Sequence, residues 1–485
     1  MSDVLSARID SFIDHLCDHW EIPGLAIGVL QRGEPVHVRT YGIRDINTGQ
    51  VVDLDTRFAI ASCSKAFTAA AAAVLRDEGR VGWDDPVRAY LPEFRLYDPW
   101  VTERVTLRDL LACRVGLSQA ALAESSSDWS RAEVLQRAFE IPPAATFRDQ
   151  FCYSNMGFIA GAAALGVAAG STFERLIEDR LFRSLDMTAS TVADGQWNSA
   201  ANVAMLHYPV DGRICAVKPL TLDNMMGAAS IMLSARDAVR WMRFHLKGGR
   251  HSSEAVVSSA ALAETHRLQS LLRDRRLFEG YGMGWLVGAD QRNLYHEGAI
   301  RGALAAVHLV TSEGYGCFVA VNSSESLYHV RAEPRFVRSL LGGQPSDDPI
   351  EHFDREIARN AAEGQQRLAA ERESAPAAWK WRLEQFAGSY RHPGLGVMRI
   401  EVSGDEVLWM RIDNAAALGG PLIRYADTFF EYQGNEDAFD LPLSPRTPCG
   451  SAPSIRFNIE DGRVIGLQWR GMWFGDVFFG RAAIM

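Results

Sequence analysis

Phe58-Ala59-Ile60-Ala61-Ser62-Cys63-Ser64-Lys65-Ala66 opens the reading. Four small or apolar residues lead in, and Ala66 to Leu75 is a strong helix former that Gly79 stops. Ser62 therefore belongs at a helix start, with Lys65 one turn on over the same face. A serine beside a neutral amine is an activated nucleophile, and backbone N–H groups at a helix start can receive an oxyanion. Arginine could not replace that lysine, because it does not give up its proton. The chain has 50 basic residues, of which only Lys65, Lys218, Lys247 and Lys380 are lysines. By itself the motif favours a capping serine and a solvated lysine.

Two further clusters bear on the choice. Tyr153-Ser154-Asn155 follows a turn-rich segment with Pro142, Pro143 and Asp149 and precedes a small-residue helix. Residues i and i+2 of such a loop offer a phenol and an amide to one cavity; the plain alternative for Tyr153 is a core tyrosine with a bonded hydroxyl. His296-Glu297-Gly298 follows Leu294-Tyr295, which puts it on a strand beside the sheet edge. The plain alternatives there are a surface histidine and a bulge glycine.

Residues 24–41 read as a hairpin turning at Arg32-Gly33, and residues 304–322 repeat the pattern around Glu313-Gly314. The stretch between them is mainly helical, with helices over 66–77, 155–181 and 235–247. Strands at both ends of a helical stretch predict an α+β unit, residues 1–345, whose antiparallel sheet is built from both termini and flanked by a helical subdomain. Gly342-Gly343-Gln344-Pro345-Ser346-Asp347-Asp348-Pro349 breaks the chain, and 346–380 reads as a linker or surface helix. Residues 381–485 alternate as strands do. Met398, Ile400 and Val402 turn at Ser403-Gly404-Asp405 into Leu408, Met410 and Ile412, and Ile455, Phe457 and Ile459 turn at Asp461-Gly462. That pattern predicts a small antiparallel β-barrel.

A chain of 485 residues, 47% hydrophobic and 23% charged, has ample material for a core. Fifty basic against sixty acidic residues give a net charge of −10, which argues against nucleic acid or an anionic membrane as partner. The N-terminal Met1-Ser2-Asp3-Val4-Leu5 carries no basic region followed by an apolar stretch, and the 13-residue run 158–170 is too short to span a bilayer. Seven scattered cysteines without a Cys-x-x-Cys pair suit a reducing compartment, so a cytoplasmic protein is expected. His15 and His19 have metal-ligand spacing, but Ile9, Phe12, Ile13, Leu16 and Trp20 make that helix a core helix with no third ligand nearby. We expect no metal and no cofactor.

Ser62-x-x-Lys65, Tyr153-x-Asn155 and His296-x-Gly298, in this order, resemble the serine β-lactamase and penicillin-binding-protein superfamily. The resemblance is closest to the class C-like branch of esterases and D-aminopeptidases. It extends through Thr106–Leu111, Tyr153–Gly161, Gly227–Arg236 and Tyr281-Gly282-Met283-Gly284-Trp285, and the last hundred residues look like the lipocalin-like domain often appended there. The resemblance implies that Ser62 is the acylated nucleophile and that Lys65 and Tyr153 move its proton. Asn155 would orient substrate and lysine, and His296 would stand where many relatives have lysine. Gly298 would leave room for substrate along the strand, and the Ala299 N–H would join that of Ser62 in an oxyanion hole. Cys113-Arg114-Val115-Gly116-Leu117 and Cys152 depart from the family pattern and bear on substrate preference. The resemblance thus implies a serine hydrolase acting on a small-molecule or short-peptide ester or amide, D-amino-acid derivatives included. An acyltransferase or peptide cyclase using the same acyl-Ser62, and a non-catalytic scaffold, are the competing readings; neither oligomeric state nor substrate is legible.

Overall fold

The computed structural model describes residues 2–117, 129–138, 140–192, 202–210, 213–217, 222–273, 278–324, 327–342, 348–373, 380–392, 394–403, 407–413, 419–424, 428–432, 454–471 and 475–482. The turn at Gly404-Asp405 and the centre of the 342–349 break lie outside them. Both expected hairpins form, and they join. Strand Gly24–Gln31 pairs with Glu34–Asp45 on one side and with Tyr315–Val321 on the other, Ile27 facing Val319. All pairs are antiparallel. The nine strands run in the order 270–271, 280–281, 286–287, 293–300, 303–310, 315–321, 24–31, 34–45 and 50–51. The architecture is α+β with the sheet drawn from both ends of the catalytic unit.

The central strands are apolar on both faces because each face has its own cover. Leu25, Ile27, Val29, Leu304, Ala306, Val319 and Val321 pack on Ile9, Ile13 and Leu16 of helix Ser2–His19 and on Val337 and Ile350 of the helices Ala332–Leu340 and Pro349–Glu373. The alternate residues Ala26, Leu30, Ala305, Val307, Phe318 and Ala320 face helices Ser64–Asp77 and Ala235–Leu246. Period-two side-chain alternation thus sorts one sheet into two cores. His19 Nε2 lies 2.8 Å from Asp354 Oδ2, tying the first helix to the Pro349–Glu373 helix.

The long helix expected over 155–181 is two. Gly170, at φ +66°, ends helix Asn155–Ala169 in the left-handed conformation, and Thr172 caps a new helix, Phe173–Ile177. Gly170-Ser171 closes the Ala-rich run, and the helical pattern resuming at Phe173 hid the break. Among the described residues no single helix is long and apolar enough to cross a membrane.

From Gly388 onward eight antiparallel strands follow one another and close through Tyr390 opposite Arg481 and Arg391 opposite Gly480. Phe386, Tyr390, Met398, Ile400, Leu408, Met410, Leu422, Phe430, Ile455, Phe457, Leu467 and Phe479 fill the barrel, the inward half of the alternation. The barrel is seated on the catalytic unit by its first turn. A Cβ on Gly394 would lie 2.1 Å from Ile141 Cγ1, and Arg137 reaches the Gly394 carbonyl at 3.5 Å.

Glu333 gives this fold a measurable pH dependence. It is fully buried, its carboxylate oxygens have no side-chain partner among the described residues, and burial, opposed only by its own backbone N–H, pushes its pKa well above the ordinary carboxyl value. A raised pKa means the folded state holds a proton that the unfolded chain releases. Its contribution is therefore full below the ordinary carboxyl pKa and is lost as pH rises towards the folded value. Glu333→Gln should raise unfolding free energy little at pH 4.5 and progressively more towards pH 8, by at most about 1.4 kcal/mol per pH unit. Urea unfolding of both proteins across that range checks this; a pH-independent difference would contradict it.

Candidate active site

Ser62 does not begin the α-helix, as the sequence suggested, but sits in a single 3₁₀ turn, Ala61–Cys63, that feeds helix Ser64–Asp77. Ala61 adopts φ +43°, a left-handed conformation costly for an alanine, and this bend turns strand Phe58–Ala59 into the helix. The bend is held from outside: Ile60 N–H donates to the Ile231 carbonyl, and Ile231 N–H donates to Ser64 Oγ at 2.9 Å. Ser62 projects from a braced corner.

Lys65 is fully buried. Its Nζ stands 2.9 Å from Ser62 Oγ, 2.7 Å from Asn155 Oδ1 and 3.0 Å from the Ala228 carbonyl oxygen. The last two atoms can only accept. Nζ therefore donates to Asn155 Oδ1 and to the Ala228 carbonyl, and in the neutral form that activates a serine its lone pair is left for the Ser62 hydroxyl. Tyr153 and Phe158 present ring faces to Nζ at 4.8 and 5.5 Å.

Tyr153 OH lies 2.7 Å from Ser62 Oγ on the other side. Burial pushes its pKa up, so at rest the phenol keeps its proton. The Tyr-x-Asn spacing works because of the residue between: Ser154 Oγ accepts from Gly157 N–H at 3.2 Å and caps helix Asn155–Ala169. Tyr153 and Asn155 are left to face the cavity.

Strand Asn293–Ile300 is fourth in the sheet, yet on one side it has a strand partner only at Leu294 and Tyr295. From His296 onward the Ile60–Ser62 turn occupies that side. The expected edge is thus a local one. Gly298 is no bulge, because it pairs regularly with Ala305. It is glycine because a Cβ would lie 2.1 Å from the Ile60 carbonyl oxygen and 2.8 Å from Ser62 N. Ala299 follows on the same strand.

His296 is buried, not a surface residue, and its ring centroid is 6.4 Å from that of Tyr153. Nδ1 is 2.7 Å from the Glu297 carbonyl oxygen and Nε2 is 3.0 Å from Tyr281 OH. Burial first, then the proximity of Lys65, lowers its pKa to about 3, so the imidazole is neutral at working pH. The position where relatives carry a cationic lysine is uncharged here.

The structure therefore brings Ser62, Lys65, Tyr153 and Asn155 into mutual contact, with His296 and Gly298 along the adjoining strand. Sequence reasoning missed the Ala228 carbonyl, which has no side-chain signature, though Gly227–Arg236 carries it. Gly227, at φ +81°, is fixed to the nucleophile helix by Thr68 Oγ1 donating to its carbonyl at 2.7 Å. Tyr281 was also missed as a site residue. Cys63 is excluded as the nucleophile: burial pushes its pKa up, and Sγ faces the His296 carbonyl at 3.4 Å. Cys113, in the departure from the family pattern, has φ +51° and is likewise buried, its pKa pushed up to about 12. No cluster of three metal-ligating side chains exists among the described residues.

Ser62, in its braced corner, is thus contacted by the amine of a buried lysine and by a protonated tyrosine phenol. The chain belongs to the beta-lactamase family: the model of that family, described as Beta-lactamase, matches residues 9–341. Residues 372–480 match a domain of unknown function, DUF3471. The chain is 24% identical over 324 residues to Protein flp of Staphylococcus aureus, covering 65% of this chain and 62% of that protein's length. It is 23% identical over 370 residues to the unguisins hydrolase ungD' of Aspergillus campestris, covering 73% and 68%. Among solved structures, the octameric penicillin-binding protein homologue from Pyrococcus abyssi superposes with a TM-score of 0.62 at 18% identity, over 98% of this chain and 99% of that one. SurE does so with 0.59 at 18% identity, over 99% of each.

Ser62→Ala should abolish turnover of an activated ester, and Lys65→Arg should do nearly the same although charge is kept. Tyr153→Phe should lower kcat by roughly 10²–10⁴. Ser62→Ala and Tyr153→Phe should melt near the parent temperature, and steady-state kinetics beside thermal melts check the set. A large loss of stability with normal kcat in Tyr153→Phe would mark that tyrosine as structural only.

Proposed function

We propose that this protein is a serine hydrolase that cleaves a small-molecule or short-peptide ester or amide, D-amino-acid derivatives included, through an acyl-Ser62 intermediate. The observation that carries the reading is the hydrogen-bond count at Lys65. With Asn155 Oδ1 and the Ala228 carbonyl taking its two N–H bonds, the lone pair has one direction left, the Ser62 hydroxyl.

Ser62 passes its proton to Lys65 Nζ as Oγ attacks the substrate carbonyl carbon. The oxyanion is received by the backbone N–H groups of Ser62 and Ala299, beside the gap that Gly298 leaves. Tyr153 gives its proton to the leaving oxygen or nitrogen, and the proton gained by Lys65 restores the phenol. Water then attacks the acyl carbon, gives up its proton to the same pair and releases the acid, returning Ser62 to its hydroxyl form. The neutral His296 offers no cation to a carboxylate along the strand, which favours esters and amides without one at that position.

The acyl acceptor is tested by product partitioning. With an activated ester and rising concentrations of an amine or D-amino acid, the reading expects nearly all turnover to end as free acid. Amide or cyclic product dominating at millimolar acceptor would replace hydrolysis by acyl transfer.

The barrel limits access by the way its first turn sits on Ile141. Gly394→Val, which drives two methyl groups into that side chain, should change KM for bulky substrates and leave a small activated ester unaffected. Equal effects on both would make the barrel a passenger.

A further inference from the structure

We propose that Tyr281 is a positioning residue of this active site: by donating its phenolic proton to His296 Nε2 it fixes the imidazole in its Nδ1–H form and holds it uncharged against the catalytic pair. The inference rests on the reading that Lys65 accepts the proton of Ser62.

The atoms define the tautomer. The Glu297 carbonyl oxygen, 2.7 Å from His296 Nδ1, can only accept, so Nδ1 carries the proton. Nε2 is then a lone pair, and Tyr281 OH, 3.0 Å away, is the donor that meets it. Both rings are buried, so water does not compete for either bond.

Tyr281 is built to hold that line. It lies in the short strand Gly280–Tyr281, paired with Ser270–Leu271 on one side and Leu286–Val287 on the other. Its ring packs 5.0 Å from that of Phe151, which in turn stands 6.3 Å from Tyr153. Three residues on, Gly284 takes φ +77°, and a Cβ there would lie 2.7 Å from the Lys65 carbonyl oxygen. The Tyr281–Trp285 turn is therefore pressed onto the backbone of the residue whose side chain does the chemistry. The outward neighbours on the His296 strand are occupied elsewhere: Arg331 donates to Glu297 at 2.8 and 2.5 Å.

The charge argument gives the arrangement a purpose. The titratable groups facing His296 are Lys65 from the nucleophile helix, Tyr153 from the loop and Tyr281 from its strand, with the Cys63 thiol below. In acylation Lys65 must gain a proton in this enclosed space. A protonated His296 would oppose that step as a like charge at short range. A hydrogen bond donated to Nε2 favours the neutral imidazole and blocks that outcome.

The test uses the full chain with Tyr281→Phe, His296→Asn and the double variant. Tyr281→Phe should still acylate on Ser62, with kcat for an activated ester lowered about threefold to tenfold, the worth of one neutral hydrogen bond, and KM little changed. The double variant should lose no more than His296→Asn alone. Nitrogen-15 NMR of histidine-labelled wild type, assigned with His296→Asn, should show the Nδ1–H tautomer, and Tyr281→Phe should titrate at higher pH. Additive losses would overturn the proposal, and an Nε2–H tautomer in the wild type would do so even if Tyr281→Phe fails to fold. Turnover persisting in Ser62→Ala would instead remove the underlying reading, leaving the tautomer result standing.

Discussion

A buried amine must be fully coordinated, and in this protein that requirement organises the site. Lys65 Nζ draws one partner from its own turn, one from the head of the Asn155–Ala169 helix and one from the Ala228 backbone. Leaving a buried amine unsatisfied costs several kcal/mol, so these three segments hold their relative positions or the lysine does not fold inside. The surrounding devices serve the same end. Thr68 fixes the Gly227 carbonyl, Ser154 caps the helix that begins with Asn155, and Gly284 lets a turn lie against the Lys65 backbone. Reactivity and packing are one constraint here.

The same constraint explains the two glycines that a side chain would exclude. Gly298 and Gly284 press on the two ends of the segment Ile60–Ala66, one against Ile60 and Ser62, the other against Lys65 and Ala66. Between them the strained Ala61 bend is kept in place. Strain of that kind persists only where the surroundings over-determine the backbone.

How much of this was legible follows from the range of each interaction. Ser62 and Lys65 are one turn apart, so residue type and helix signals sufficed. Tyr153 and Asn155 could be read because a two-residue spacing beside a cap is also local. The sheet was visible in the apolar runs 24–30, 304–310 and 317–321, and the barrel in the alternation through Met398–Val402 and Leu408–Ile412. The Ala228 carbonyl was invisible, since a backbone acceptor leaves no mark on sequence. Tyr281 and His296 are 15 residues apart, and only the strand pairing that joins them shows which way each ring points. The break at Gly170 was concealed by the alanine-rich run before it and the helix-forming residues 173–179 after it, where propensity outweighed a single glycine.

The central claim is that Ser62, driven by Lys65, carries the acyl group. Intact-mass and peptide-mapping mass spectrometry after brief exposure to an activated ester tests it most directly. The account predicts one acyl group per chain, on Ser62, and none in Lys65→Arg over the same interval. An adduct on Cys63, Cys152 or Tyr153, or product formation from a chain whose Ser62 is never acylated, would contradict it.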